Sequence, residues 1–226
     1  MDASIEILTA GPTCVLTAVL AVCCFGISSA AQTPVAEIPW RGMTIGAPPP
    51  DFLFRHTGQG GPGEWIVVED EGAAAGRAIA QVSGDRTDYR FPLAIYQQTE
   101  AKNLEVTVRF KAVSGEVDRA GGIALRLRGP DDYYVVRANA LENNVRFYRV
   151  FRGVREQLAG VDIPVAADTW HSLGLRAEEE KFTIMFNGAK LFTATDRTIT
   201  DPGKFAFWTK ADSVTRFDRP TIRVLP

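Results

Sequence analysis

From Asp51 to the C-terminus, apolar and polar residues alternate in short runs separated by turn residues. Period-two alternation is the signature of β-strands, whose successive side chains point to opposite faces. "EWIVVE", "RAIAQV", "FPLAIYQ" and "NLEVTVRFKAV" come first, followed by "GGIALRLR", the turn "GPDD", "YYVVRANA", "LENN", "VRFYRVF", the two-residue "RG" and "VREQLAG". "WHSLGLRAE", "KFTIMF", "KLFTAT", "GKFAFWTK" and "TRFDRPTIRVL" complete the series, and Asn187-Gly188 is a strong type I′ hairpin signal. No helix-period run longer than two turns competes with them. About a dozen antiparallel strands in residues 51–226 predict a single all-β domain, an antiparallel β-sandwich of jelly-roll type.

Within the central meander the alternation assigns faces. Ile123, Leu125 and Leu127 share one side with Tyr134, Val136, Ala138, Val145, Phe147 and Phe151, which are the predicted core. The opposite side collects Arg126, Arg128, Tyr133, Arg137, Asn139, Arg146, Tyr148, Arg152, Arg155 and Gln157. Eight arginines, no lysine and three carboxylates (Asp131, Asp132 and Glu142) lie between residues 119 and 155. Guanidinium forks donate paired hydrogen bonds to hydroxyls or carboxylates, and aromatic rings stack on sugars. In "FAFWTKADSVTRFD", Phe205 and Phe207 read as core, Trp208 and Lys210 face the arginines, and Asp212 and Ser213 read as a corner. The expected ligand contacts are therefore Arg126, Arg137, Asn139, Tyr148, Trp208 and Lys210.

The front of the chain differs. Residues 15–27 are apolar and uncharged, and "SSAAQ" follows with the small residues that a signal peptidase needs, so residues 1–31 read as an export leader. The stretch "MDASIEIL" departs from that pattern, with two acids and no basic residue. Lipid anchoring through Cys23 is the less favoured variant, because Val22 stands where a small residue is preferred. Residues 32–50 are proline-rich and read as a linker or extended arm. All three cysteines lie in the leader, so cysteine chemistry is excluded from the mature chain. Leader removal also takes two of the 27 acids and none of the 25 basic residues, leaving 25 of each. That balance argues against nucleic acid as a partner. No integral membrane span is expected after the leader, the location is secreted or periplasmic, and oligomeric state is open.

Catalytic signals are sparse. In "GEVDRAGG" the third acid of a glycosidase constellation is missing, and the segment reads as a solvated loop. There are two histidines, His56 and His171, too few for a zinc site without cysteine. His171 alternates with Leu173 and Leu175 as a strand residue. "EEEK" at 178–181 reads as a charged turn, and the glycines of "HTGQGGPGEW" precede no helix. Glu142, His171 and Asp212 are the candidates for acid–base work.

The segments "AGGIALRLRGPDDYYVVRANALENNVRFYRV", "TWHSL", "FNGAKLF" and "GKFAFWTKADSVTRFD" together resemble the laminin-G-like, concanavalin A-like jelly rolls of secreted bacterial proteins, in particular relatives of the 3-keto-disaccharide hydrolase domain. The likeness covers about residues 105–226 and implies two curved sheets, export, a link to carbohydrate and, in many such domains, a structural calcium ion. Asp218 is the candidate metal ligand. Where the pattern has Phe-Asp-Asp and an aliphatic residue, this chain has Phe217-Asp218-Arg219-Pro220, which sets a guanidinium beside the metal position. Three functions follow as expectations. The first is saccharide binding on the concave sheet, the second hydrolysis of a glycoside or 3-keto-glycoside, and the third a structural module of the cell envelope.

Overall fold

The computed structural model describes residues 1, 35–38, 40 and 42–226. The chain divides into Met1–Gln32 and Thr33–Pro226, and the second unit is the one described below. The expected export leader, residues 1–31, lies outside the described residues apart from Met1. Among the described residues no helix is long and apolar enough to cross a membrane.

Among the described residues, fifteen strands form two antiparallel sheets. One sheet is built from β3 (Trp65–Glu69), β4 (Arg77–Gln81), β6 (Leu104–Ser114), β11 (His171–Glu178), β12 (Lys181–Phe186), β13 (Ala189–Thr195) and β15 (Val214–Val224), in the order β13-β12-β11-β6-β15-β4-β3. A short β1 (Val35–Glu37) from the proline-rich stretch pairs with Thr221–Arg223 of β15. The same stretch buries Ile38 and Met43 in the core.

The second sheet contains β2 (Phe52–Gly58), β5 (Arg90–Ala101), β7 (Ala120–Gly129), β8 (Asp132–Asn139), β9 (Asn144–Phe151), β10 (Val154–Asp162) and β14 (Gly203–Trp208). Its order is β10-β9-β8-β7-β14-β5-β2. Non-sequential neighbours such as β7-β14-β5 come from crossings between the sheets, which is the jelly-roll connection. Asn187 and Gly188 take φ of 49° and 79°, and Arg152 and Gly153 take 52° and 74°. Positive φ at both central residues makes tight hairpins whose twist matches that of the strands.

The core between the sheets contains Val106, Val108, Phe110, Ile123, Leu125, Val136, Phe147, Leu173, Leu175, Phe205, Phe207 and Phe217. Phe207 stacks between Phe52 and Phe217, with ring centroids 5.6 and 4.6 Å away. The alternation places these residues correctly with one break. Between Leu125 and Gly129 the β7–β8 register shifts, and Arg126 adopts φ 51°. One left-handed residue inverts the parity of everything after it in the strand. Leu127 consequently leaves the expected core face and joins a second apolar cluster on the other side of the sheet. Arg126 moves the opposite way, to the core side, where its guanidinium lies 5.2 Å over Phe182 and 6.0 Å over Tyr134.

The second cluster includes Phe91, Leu93, Ala124, Tyr133, Val135, Tyr148, Val150 and Trp208 and fills the concave face of the seven-stranded sheet. It is enclosed because the twisted sheet curls until distant corners touch. Tyr89 Oη donates to Gly153 O at 3.1 Å, and Arg155 N donates to Tyr89 Oη at 3.2 Å. Thr57 Oγ1, on edge strand β2, hydrogen-bonds Pro130 O and lies 2.8 Å from Tyr133 Oη. Arg155 covers the join, with its guanidinium 4.6 Å from the centroids of both Phe91 and Tyr148. This bridge divides the concave face in two.

Candidate functional site

On one side of the bridge the fold gathers Arg137, Asn139, Glu142, Tyr148 and Lys210, five residues expected from the sequence to be functional. Arg137 and Asn139 sit on β8 and Tyr148 on β9, Glu142 is in the intervening turn, and Lys210 follows β14. Arg137 Nη2 donates to Glu142 Oε2 at 2.7 Å and to Tyr148 Oη at 3.1 Å, and Nη1 bonds Asn144 Oδ1. Asn139 Nδ2 donates to Asp118 Oδ1 at 3.0 Å, while its Oδ1 accepts the N–H groups of Leu141 and Glu142. Lys210 Nζ lies 2.7 Å from Asp88 and 3.1 Å from Asp118.

These groups satisfy one another. Asn139, Arg137 and Tyr148 are buried at 0%, 5% and 7% exposure, so their polar atoms are spent inside the protein. Burial pushes the Asp118 carboxyl up, against the pull of Lys210 and Arg137. Burial would also raise Glu142, but Arg137 and Asn144 outweigh it and hold that carboxyl below its usual range. Lys210 is raised, since Asp88 and Asp118 overcome the burial that would lower it.

Trp208 is not a stacking platform. It is fully buried, stacks on Phe91 at 5.5 Å, and directs Nε1 to Tyr133 Oη at 3.3 Å. A sugar ring would have to displace this core to reach it.

The corner after Trp208 fastens a distant loop. Asp212 accepts the backbone N–H groups of Glu116, Val117 and Asp118 at 2.8–3.2 Å, and Ser213 Oγ accepts Ala120 N at 3.0 Å. These donors hold the Asp212 carboxyl below its usual range, although burial acts in the opposite sense. Gly115 makes the loop possible, because a Cβ at its φ of 142° would fall 1.9 Å from Asp118 O. The loop is not simply solvated. Glu116 faces water beside Arg86, but Asp118 is turned inward and buried.

The remaining candidates lie elsewhere. Arg126 is a buried clamp. Its Nε and Nη1 donate to Lys102 O and Ile199 O, each at 2.9 Å, and Nη2 bonds Glu179 O. It is 1% exposed and cannot touch a ligand on the concave face. His171 belongs to β11 of the other sheet, between Phe110 and Phe186, with Nε2 3.1 Å from Ala166 O and Nδ1 3.1 Å from Asn187 Nδ2. Glu142, His171 and Asp212 therefore do not converge as an acid–base set. His171 and Asp212 are spent on local packing and on backbone hydrogen bonds.

The residues around Asp218 do not fit a calcium ion. Asp218 Oδ2 accepts Ala74 N at 2.6 Å and Arg109 Nη1 at 3.1 Å, so a guanidinium stands where a metal would need further oxygen ligands. Asp218 Oδ1 is buried and has no partner among the described residues, and burial raises the carboxyl. Among the described residues no group of three or more carboxylate, imidazole or thiol side chains is placed to hold a metal.

Open space lined by solvent-accessible polar groups lies at the opposite end of the concave sheet. A cleft of about 430 Å³ is floored by Leu53, Ile95, Leu127, Pro130 and Pro202 and rimmed by Arg55, Gln97, Glu100, Arg128 and Lys204. Through Arg128, Gly129 and Pro130 it adjoins a cavity of about 460 Å³ lined by Asp131, Asp132, Phe151, Arg152 and residues 198–201. The Arg126 bulge shapes both, because it carries Leu127 to the concave floor and swings Arg128 and Gly129 to the rim. Arg55 is exposed, and its Nη1 bonds only the carbonyl of neighbouring Phe54. Lys204 Nζ reaches Gln97 O at 3.2 Å and Glu100 at 3.6 Å, and Arg128 pairs with Asp201.

Sequence reading missed Arg55, Gln97 and Lys204. Period two placed Lys204 beside Trp208, but nothing local marks a strand residue as lining a cleft formed by four strands.

Two curved antiparallel sheets with jelly-roll connections and a cleft on the concave side define a concanavalin A-like jelly-roll domain. No family model and no curated protein sequence matches the chain. Among solved structures, the carbohydrate binding module CBM66 from Bacillus subtilis aligns with a TM-score of 0.58 at 17% identity, covering 75% of this chain and 94% of that one. A Bacillus subtilis protein of unknown function with a galectin-like fold gives 0.54 at 11% identity, covering 75% and 88%. The beta-glucanase of Bacillus licheniformis gives 0.52 at 11%, covering 81% and 97%. Likeness at such identity establishes the fold, and function has to be argued from the site.

Proposed function

We propose that the domain is exported and binds a saccharide in the cleft lined by Leu53, Arg55, Ile95, Gln97, Leu127, Arg128 and Lys204. The observation that carries this reading is the combination of open volume, an apolar floor and solvent-accessible polar groups at one end of the concave sheet. Apolar side chains accept the C–H faces of a sugar ring, while guanidinium, amide and carboxylate groups on the rim exchange hydrogen bonds with its hydroxyls. The adjoining cavity adds Phe151, Asp131 and Asp132 and gives room for a second ring. The neighbouring folds, which include a carbohydrate binding module and a beta-glucanase, lend support by analogy.

A glycan-array screen followed by isothermal titration tests the reading. The parent protein binds at least one glycan, Arg128→Ala weakens that binding, and Arg137→Ala leaves the affinity of the folded protein unchanged. No glycan bound above background removes the proposal and favours a structural or interaction module. Weakening by Arg137→Ala alone, at unchanged melting temperature, moves the site to the Arg137 cluster.

A further inference from the structure

The cleft is electrically lopsided. In a chain of net charge −2, its lining carries Arg55, Arg128 and Lys204 against the single acid Glu100. The adjoining cavity has the opposite balance, with Asp131, Asp132 and Asp201 against Arg128 and Arg152. Positive charge is thus concentrated on the concave side and negative charge toward the outer rim.

Two of the three cations on the concave side are only weakly neutralised. Arg128 has its partner Asp201 on the outer side, and Lys204 has Glu100 only at 3.6 Å. Arg55 makes no ion pair among the described residues. In the meander Arg137, Arg146 and Arg149 each hold a carboxylate at 2.5–2.7 Å, whereas Arg155 holds none among the described residues and lies over the rings of Phe91 and Tyr148. A neutral sugar needs no such surplus, whereas a guanidinium fork and an ammonium beside an apolar floor suit an anionic group carried on a sugar ring.

We infer that the saccharide recognised here is anionic, bearing carboxylate or sulfate groups, with its charge held by Arg55 and Lys204 and its neutral part directed toward Asp131 and Asp132. This rests on the saccharide-binding reading of the same cleft. Charge-assisted hydrogen bonds are about twice as strong as neutral ones, so removing the ligand's charge weakens binding about tenfold or more.

Isothermal titration with four probes tests it: oligogalacturonate, its fully methyl-esterified counterpart, a sulfated galactan oligosaccharide and a neutral cello-oligosaccharide. The expected result is binding of at least one anionic probe about tenfold or more tighter than the ester and the neutral sugar. That advantage shrinks between about 50 mM and about 500 mM salt as screening grows. Arg55→Ala/Lys204→Gln, altered only at side chains on the cleft rim, abolishes the preference at unchanged melting temperature. Preference for oligogalacturonate identifies a carboxylate ligand, and preference for the galactan a sulfate ester. If the ester or neutral sugar binds as tightly as the acids, the anionic inference falls while saccharide binding stands. An anionic preference that survives the double substitution overturns the assignment to Arg55 and Lys204. If none of the probes binds and no glycan binds elsewhere, both readings fall.

Discussion

Arg126 is the residue at which a ligand role and a structural role make opposite predictions. Its guanidinium holds three carbonyls that belong to three separated segments: Lys102 before β6, Glu179 in the β11–β12 turn and Ile199 before β14. Those segments are brought together at one end of the sandwich by a single side chain that is 1% exposed. Substitution by alanine removes the donors, leaves the carbonyls facing a cavity, and forfeits the stacking on Phe182 at 5.2 Å. Breaking one side of such a buried charged network costs about 3–5 kcal/mol. At roughly 2–4 °C per kcal/mol for a domain of this size, the melting temperature falls by roughly 6–20 °C.

The backbone sharpens the test. At φ 51° a non-glycine residue pays about 1–2 kcal/mol for the left-handed conformation, and glycine does not. Arg126→Gly is therefore less destabilising than Arg126→Ala, by about 1 kcal/mol, the reverse of the order expected in a regular strand interior. Chemical denaturation of the parent and the Ala, Gly and Lys variants reads this directly. Arg126→Lys keeps the charge but replaces a planar fork by a point charge, and it falls between the parent and alanine. An alanine variant as stable as the parent, or glycine below alanine, refutes the clamp. Lost saccharide affinity at unchanged stability restores the ligand role.

Three further outcomes follow from the packing. Trp208→Ala costs about 3–5 kcal/mol by denaturation, and Trp208→Phe costs less. Neither changes saccharide affinity measured on the folded fraction, because the ring is enclosed against Phe91 and Tyr133. Burial acts to raise Asp70, yet Lys111 at 2.6 Å, Arg216 at 2.8 Å and Gly72 N at 3.0 Å hold it at about 2. A depressed carboxyl stabilises the fold above its unfolded pKa near 4 and loses that contribution as pH falls toward about 2. Asp70→Asn therefore shows a shallower decline of melting temperature over that interval than the parent, and an equally steep decline contradicts the assignment. Chelator leaves the melting temperature unchanged and added calcium does not raise it. A calcium-dependent rise of several degrees would show that the oxygens near Asp218 bind metal after all.

Most of the sandwich was legible in the sequence because each strand has one face in a core. Ile123, Leu125, Val136 and Phe147 fall where period two places them, and so do Phe205 and Phe207. The rule assumes unbroken parity, and a single left-handed residue breaks it. Glycine or asparagine would have flagged such a residue, but Arg126 has neither signal and stays in this conformation because three carbonyls hold its head in the core. From that point Leu127 and Arg128 exchange the roles that alternation had assigned to them.

The second failure is one of distance rather than pattern. A polar residue facing away from the main core reads as solvated only if that face is open. Here the sheet curls until Thr57 meets Tyr133, 76 residues away, and closes over Trp208, Tyr148 and Arg137. The corner at Asp212 and Ser213 likewise seemed local, yet its oxygens hold backbone N–H groups 93–96 residues back. Both contacts convert apparent surface chemistry into framework, which is why Arg137, Asn139 and Trp208 fit a ligand face by type and are buried by position. The same curl, by using up one side of the concave face, leaves Arg55 and Lys204 beside an apolar floor at the other end. If the bridge organises the cleft in this way, weakening it with Thr57→Val loosens the floor beside Pro130. Saccharide affinity then falls although Thr57 lies outside the cleft lining. Unchanged affinity in that variant, at reduced stability, would show that the bridge supports the fold alone.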